Sequence, residues 1–438
     1  MSIEPVRVSE EPEDHGVPEA PGVSEVSGVP EEPYGAIPTV VEELVVDAEE
    51  FTADPYPRLA ELRAGGPVRR VRTPFAELWM VVGHETVRSA LADPRLRNDI
   101  RHSRDWDSDG GYAIGRNMLQ VDPPDHTRLR RLVASEFTGR RIRSLRPRMR
   151  DITDALLDAM APEGRADLVE ALAFPLPITV ICELLGVPDA DRNAFRAWST
   201  EMVAANDPEA ATAAAREMTG YLTGLIEGMR PAVAGAGRND GLLYAMVRSA
   251  DEDGDGLSTE ELLGMAFLLL VAGHETTVNL ISSAVHLLLR HPAQLAALRN
   301  DWTLLEGAVE EVLRYEPPVP ATAYRYTAEP VTLAGTRIPA GEPVVLSLAA
   351  ANRDPARFTA PERFDIRRDP AETRGHLAFG HGIHHCLGAP LARMEATIAL
   401  RALFERFPGL ALDKAASPPD WRPSLLRGLR RLPVRWDA

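Results

Sequence analysis

Cysteine is nearly missing from this chain of 438 residues, which holds only Cys182 and Cys386. Two cysteines cannot form a disulfide framework, so an intracellular, reducing location is expected. Lysine is scarcer still: Lys414 stands alone, and almost all positive charge is arginine. With such a skew no single arginine is informative by itself. Long apolar runs are lacking as well. The longest, "LLGMAFLLLVAG" from Leu262 to Gly273, is too short to span a bilayer, and no apolar segment follows a basic N-terminal start. These absences imply a soluble, cytoplasmic protein with no secretory signal and no membrane partner. A basic excess is missing too. The formal net charge is -17, which argues against general affinity for nucleic acid.

The acidity is uneven. Residues 1–37 carry nine acidic side chains against Arg7 alone, amid repeated Pro, Gly and Val with no helical or strand period. Residues 1–38 therefore read as an acidic disordered tail, and 39–438 as one large folded domain without a second linker or a repeat. Within it helical periodicity dominates. Arg146 to Met160, Asp191 to Ala205 and Ala211 to Met229 repeat apolar residues every three or four positions. The turn "GVPDADR" offers Asp189 and Asp191 as caps for the second of these. Strand signals are short. One is "WMVVG", Trp79 to Gly83; the other is "VTLAGTRIPAGEPVVLSLA", where Gly335 and Gly341 punctuate three alternations like a small meander. The expected fold class is mainly α with a minor β region.

One helix is unusual. From Ser258 to Arg290, stopped by His291-Pro292, both flanks are almost wholly apolar, and Ser258 with Glu261 forms an S-x-x-E capping box. Its middle should be buried. Yet "AGHETT", Ala272 to Thr277, sets Gly, His, Glu and two Thr there, and buried polar groups cost free energy unless something satisfies them. A second oddity is "FGHGIHHCLGAPLARME", Phe379 to Glu395, where one of the two cysteines sits among histidines and glycines. Structural zinc favours separated C-x-x-C and H-x-x-x-H pairs, and no partner pair exists, because Cys182 lies in the apolar "ITVICELL". A redox-sensing or nucleophilic cysteine is open, since glycines leave the sulfur accessible. A buried structural cysteine explains neither the glycines nor the helix that follows. A thiolate ligand to haem iron explains more. Phe379 can pack beside the sulfur, and Gly380, Gly382 and Gly388 permit a tight loop with backbone N–H groups near it. The helix "APLARMEATIALRALFERF" then directs its N-terminal dipole at the negative charge.

"FGHGIHHCLG" is similar to the cysteine-ligand loop of the cytochromes P-450, F-G-x-G-x-H-x-C-x-G, at every fixed position. "AGHETT" resembles that family's oxygen-activation motif, A-G-x-[DE]-T-T. "EEVLR" resembles its E-x-x-R pair, here Glu311 and Arg314, and "DPPDHTRLRRLV" its haem-facing helix. "ANRDPARF" and "FDIRR" resemble the segment between that pair and the cysteine. The likeness runs over residues 50–438. It implies a single-domain cytochrome P-450 fold, with haem b (iron protoporphyrin IX) between the long helix and the cysteine loop. It implies Cys386 as the axial metal ligand, with Phe379, Gly388, Ala272 and Gly273 around the cofactor. His126, Arg130, Arg325 and His384 are implied as donors to the haem propionates. Glu275 and Thr276 are implied as a catalytic acid–alcohol pair that passes protons through water, with Ala272-Gly273 admitting O2 where the helix ladder opens. The plainer reading of Thr276 is a hydroxyl bonded back to the i-4 carbonyl. For Glu311 and Arg314 the likeness implies a buried structural pair, where spacing alone gives a surface ion pair.

The implied activity is that of a haem-thiolate monooxygenase, which places one atom of O2 in a hydrophobic small molecule and reduces the other to water. No flavin or iron–sulfur segment is present, so electrons are expected from a ferredoxin and its ferredoxin reductase. "RADLVEALAFPLPITVICELLGVP" and "STEELLGMAFLLLVAGHETTVNLI" are similar to actinomycete macrolide hydroxylases, which implies a macrolide or other polyketide substrate in antibiotic biosynthesis. Relatives that grip an amino sugar carry acids just before the D-P-P segment. Here Gly111 and Gln120 stand there, a departure that counts against an amino-sugar substrate and leaves a neutral polyketide open, with Asp105, Asp107 and Asp109 upstream as the alternative acids. Pocket candidates are Leu268, Leu269, Thr322, Leu425 and Leu426.

Arg128 to Arg150 contains nine arginines. Arg128 and Arg131 are expected to face outward as a docking surface for an acidic electron carrier, the alternative being a solvated helix face. "DEDGDGLSTEEL" begins like an EF-hand with Asp251, Asp253, Asp255 and Gly256, but position 12 is Leu262 and Glu261 comes one residue early. A solvated turn leading into the capping box is the simpler reading. Two other functions stand against the monooxygenase. Peroxide-dependent haem-thiolate enzymes replace the acid–alcohol pair by Arg-Pro, and a non-catalytic haem sensor would show an added signalling segment.

Overall fold

Ser258 opens the longest helix, Thr259–Arg290, with a complete capping box. Its hydroxyl accepts the Glu261 N–H at 3.1 Å, and the Glu261 carboxylate accepts the Ser258 N–H at 2.9 Å. At about 1.5 Å per residue the helix is about 48 Å long. Among the described residues it is the one helix long and apolar enough to cross a membrane. Yet 67% of its apolar window is buried inside the protein, so it serves as the axis of the core. The computed structural model describes residues 41–46, 48–106, 115–187, 192–203, 208–234, 241–251, 256–416 and 419–437. The acidic tail and the caps Asp189 and Asp191 lie outside the described residues.

Pro175–Leu185, Pro208–Ala234, Leu305–Tyr315 and Ala389–Arg406 pack against the central helix, and Gly139–Met160 lies behind the first and the last of these. Pro175–Leu185 packs closest at Gly273, where an added Cβ would lie 2.7 Å from Ile181 Cγ1. Only a residue without a side chain lets the two helices approach this far. Cys182 is fully buried on that same helix, as its apolar context implies. The three periodic segments are helical over Gly139–Met160, Arg192–Val203 and Pro208–Ala234. The first begins earlier than its apolar period, at the Thr138 cap.

The β region is larger than its sequence signals. A six-stranded sheet runs in the order Glu42–Glu43, Val68–Arg72, Glu77–Val81, Pro343–Leu346, Arg325–Thr327, Leu96–Arg97. The expected meander holds for two of its three strands. Val331–Leu333 and Thr336–Ile338 pair as a hairpin, but Pro343–Leu346 leaves them to lie parallel to Glu77–Val81 and antiparallel to Arg325–Thr327. The reason is its composition: Val344, Val345 and Leu346 are all buried, which suits an interior strand covered on both faces. This placement sets Arg325 at the edge of the site described next.

Candidate active site

The central helix, the cysteine loop and the segment around Val319 enclose a cavity of about 320 Å³. Cys386 reaches it from a turn closed by its own N–H, which donates to the Phe379 carbonyl at 3.0 Å, and by the His385 N–H, which donates to Gly382 at 3.1 Å. Gly382 has φ +76°, and a Cβ there would stand 3.1 Å from the Leu91 carbonyl oxygen, so glycine is required. Cys386 is exposed and lines the cavity. Burial pushes the Cys386 thiol up. The N–H groups of Gly388 and Ala389, at the start of the following helix, pull it down, as do Arg130 and Arg393. Arg393 is clamped by Glu310 at 2.6 and 2.9 Å and lies 4.4 Å over the Phe379 ring, which fixes that ring in the cavity wall.

Four basic side chains gather at one side. The His126 and His384 rings are 4.3 Å apart. Burial, then His126, Arg325 and Arg130, pushes His384 down to about 3. Burial and Arg130 lower His126, and burial lowers Arg325 to about 10. Groups that disfavour one another's positive charge in this way form a site for an anion. Arg130 donates to the His385 carbonyl at 2.6 Å, and Arg325 to the Leu91 carbonyl at 3.1 Å. Both ring nitrogens of His126 and Nε of Arg325 are nevertheless buried without a hydrogen-bond partner. Orphaned buried donors need an acceptor, and none of the described residues supplies one here.

Thr276 lines the cavity, and its hydroxyl donates back to the Ala272 carbonyl at 2.9 Å. Glu275 does not line it. Its carboxylate is buried and accepts from Ser199 Oγ at 2.8 Å, with His274 at 3.5 Å and Arg422 at 3.6 Å. Burial would raise its pKa, but His274, Arg422 and Ser199 outweigh burial and hold it at about 2. The expectation that both members of the pair face the cavity therefore holds for Thr276 alone. Consecutive helical residues point about 100° apart, and the helix runs unbroken here, with no opened ladder at Ala272-Gly273.

Leu268, Leu269 and Thr322 line the cavity, as do Ala272 and Gly273, whereas Leu425 and Leu426 do not; Leu425 is 68% exposed. Arg131 is exposed. Arg128 is not turned outward: it donates to the Gly256 carbonyl at 3.0 Å and to Glu261, tying down the start of the central helix. With Glu261 engaged twice and Leu262 buried, the last position of an EF-hand is lost. Residues 252–255 of that loop, like Asp107, Asp109 and Gly111, lie outside the described residues. Ser199 and Arg422 had no sequence signal. Each stands far from "AGHETT" in the chain, and only folding brings them to Glu275.

A family profile described as Cytochrome P450 matches residues 193–428. Cytochrome P450 monooxygenase PikC of Streptomyces venezuelae is 58% identical over 392 residues, covering 89% of this chain and 92% of that protein. This chain belongs to the cytochrome P450 family. The 6-deoxyerythronolide B hydroxylase of Saccharopolyspora erythraea is 44% identical over 408 residues, 90% of this P450 and 98% of the relative. The solved structure of the tirandamycin C-bound P450 monooxygenase TamI superposes with a TM-score of 0.82 at 44% identity, covering 90% of this chain and 100% of that one. The fold is the P450 fold, and the protein is a haem monooxygenase that uses O2 and a small-molecule substrate. Its donor set suits the cofactor: a sulfur opening into the cavity, and orphaned basic side chains matched to two carboxylates.

Proposed function

We propose that this P450 oxidises a neutral macrolide or related polyketide, with haem b held by Cys386 and electrons delivered by a ferredoxin and its reductase in the cytoplasm. The observation that carries the reading is one cavity with a sulfur on one wall, anion-seeking donors at its side and apolar side chains elsewhere. Haem supplies the activation of O2, one atom entering the substrate and the other leaving as water. His126, Arg130, Arg325 and His384 bind the two propionates. Phe379 and Gly388 shape the sulfur side, and Ala272 and Gly273 the opposite face. Thr276 holds and passes a proton at Oγ1, whereas Glu275 acts from behind the helix, as an ionised anchor. No carboxylate lines the cavity among the described residues, so nothing there pairs with an ammonium group of a substrate.

Titrating the ferric protein with paired macrolides, neutral and amino-sugar-bearing, tests the substrate class through displacement of the water ligand. The neutral members are expected to give the larger spectral change; a preference for the charged members would reject this assignment. Thr276→Ala is expected to keep haem and substrate binding while electrons are diverted to peroxide. Product per NAD(P)H should fall toward the low end of the roughly 10²- to 10⁴-fold typical of acid–base groups, because water can substitute. A fully coupled variant would remove Thr276 from proton delivery. Arg131→Glu is expected to slow reduction by an acidic ferredoxin and flatten its salt dependence, since exposed charges act over roughly 10 Å at 0.1 M salt. Stopped-flow reduction at several ionic strengths reads both, and an unchanged rate and slope would place docking elsewhere.

A further inference from the structure

Two glutamates stand side by side in "EEVLR", Glu310 and Glu311, on the helix Leu305–Tyr315. Consecutive helical residues point about 100° apart, so the two serve different neighbours. Glu311 turns inward and meets Arg314 at 2.8 Å. Glu310 turns to the segment that carries the cysteine, where it meets His376 and Arg393.

These contacts close on themselves around Phe379. Arg393 donates to Glu310 from Nε at 2.6 Å and from Nη2 at 2.9 Å, a two-pronged bond that holds the guanidinium in one place. His376 Nδ1 accepts the Ala378 N–H at 3.2 Å, so the imidazole proton sits on Nε2 and is donated to Glu310 at 3.1 Å. Ala378 precedes Phe379, whose ring lies 4.4 Å from the Arg393 guanidinium carbon and 6.0 Å from the His376 ring. The Phe379 carbonyl in turn accepts the Cys386 N–H. Burial would raise the Glu310 carboxyl, but His376 and Arg393 outweigh burial and hold it at about 2, so it is ionised at neutral pH. Position separates this pair from an ordinary ion pair. Arg393 acts on the Cys386 sulfur, as Arg130 does. In the reading above Arg130 is committed to the propionates, whereas the charge of Arg393 is answered by Glu310 from within the protein. The side chain of Arg393 is 38% exposed and that of Glu310 15%, so water screens the pair only in part.

We propose that Glu310 is a positioning residue for the haem: by holding Arg393 in place and offsetting its charge, it sets the reduction potential of the iron bound to Cys386. This rests on the haem–Cys386 reading above. The ferrous state carries one electron more than the ferric state. A positive charge beside the sulfur therefore favours it, and a negative charge disfavours it. Arg393 alone would raise the potential, and Glu310 alone would lower it. The step concerned is the one-electron reduction of ferric to ferrous haem, with the electron coming from the ferredoxin. Glu310, His376 and Arg393 themselves gain and lose neither electron nor proton.

Spectroelectrochemical titration of the haem-loaded protein measures this without turnover. Glu310→Gln keeps the shape and removes the negative charge. It is expected to raise the ratio of ferrous to ferric protein at a fixed applied potential about tenfold, which is about 59 mV for a one-electron couple. Arg393→Gln is expected to lower that ratio by a similar factor, and the double variant to return close to the parent. A purely structural clamp gives another pattern: both single variants move the same way, and the double variant moves furthest. That pattern overturns the proposal, as do unchanged potentials. If Glu310→Gln loads haem poorly, Arg393→Gln alone carries the sign, and a raised or unchanged ratio there overturns the proposal. Failure of the haem–Cys386 reading shows separately, as a parent protein whose reduced carbon monoxide complex lacks the thiolate band. The proposal then falls with it.

Discussion

Cys386→His is expected to abolish monooxygenase activity and to move the absorption band of the reduced carbon monoxide complex toward that of imidazole-ligated haem. The effect is large because nothing else in the chain can replace the sulfur. Cys182 is the only other thiol, and it is sealed in the helix Pro175–Leu185. The surroundings are also built for a negative sulfur. Burial raises the thiol, and the Gly388 and Ala389 N–H groups, Arg130 and Arg393 all oppose that rise. A neutral imidazole gains nothing from those donors. An unchanged spectrum in the variant would contradict the ligand assignment outright.

Arg314→Ala is expected to cost about 3–5 kcal/mol, a large part of the roughly 5–15 kcal/mol that holds a typical domain together. Arg314 and Glu311 are fully buried and meet in two bonds of 2.8 Å. The remaining guanidinium protons go to the carbonyls of Asn352 at 3.0 Å, Pro361 at 2.8 Å and Arg363 at 3.1 Å. Glu311 also accepts from Arg368 Nε at 3.0 Å and the Asp365 N–H at 2.9 Å. Removing the arginine leaves a buried carboxylate with only part of its charge met, and takes this donor from the carbonyls of Asn352 and Pro361, while that of Arg363 keeps Arg368 at 2.9 Å. Chemical denaturation together with haem retention measures the loss. Arg401→Ala is the control: its partner Glu405 is 3.0 Å away, but both are exposed, and such pairs contribute about 0–1 kcal/mol. Equal losses in the two variants would refute the structural role given to the buried pair.

What could be read in the sequence was what depends on neighbours in the chain. The capping box of Ser258 and Glu261 spans three residues and forms as written. The cysteine loop is legible for the same reason, since Phe379, Gly382 and Cys386 shape one turn between them. Strand Pro343–Leu346 was misread because continuous burial, not alternation, decides its place, and burial is a property of the whole sheet. Glu275 shows a subtler limit. Its position beside Thr276 is a sequence fact, but which side of the helix meets the cavity depends on Ser199 and Arg422, remote in the chain. Arg128 is similar: an arginine in a basic run looks solvated until folding brings Gly256 and Glu261 to it. The orphaned donors of His126 and Arg325 were legible only through family likeness, because an unmet hydrogen bond has no one-dimensional signature.

The measurement that bears most directly on the monooxygenase reading is turnover of a neutral macrolide under isotopically heavy dioxygen, with ferredoxin, reductase and NAD(P)H supplied. The expected result is one heavy oxygen atom in each product molecule, lost in Cys386→His and strongly reduced in Thr276→Ala. Product whose new oxygen comes from water, or forms only when peroxide is added, would contradict it.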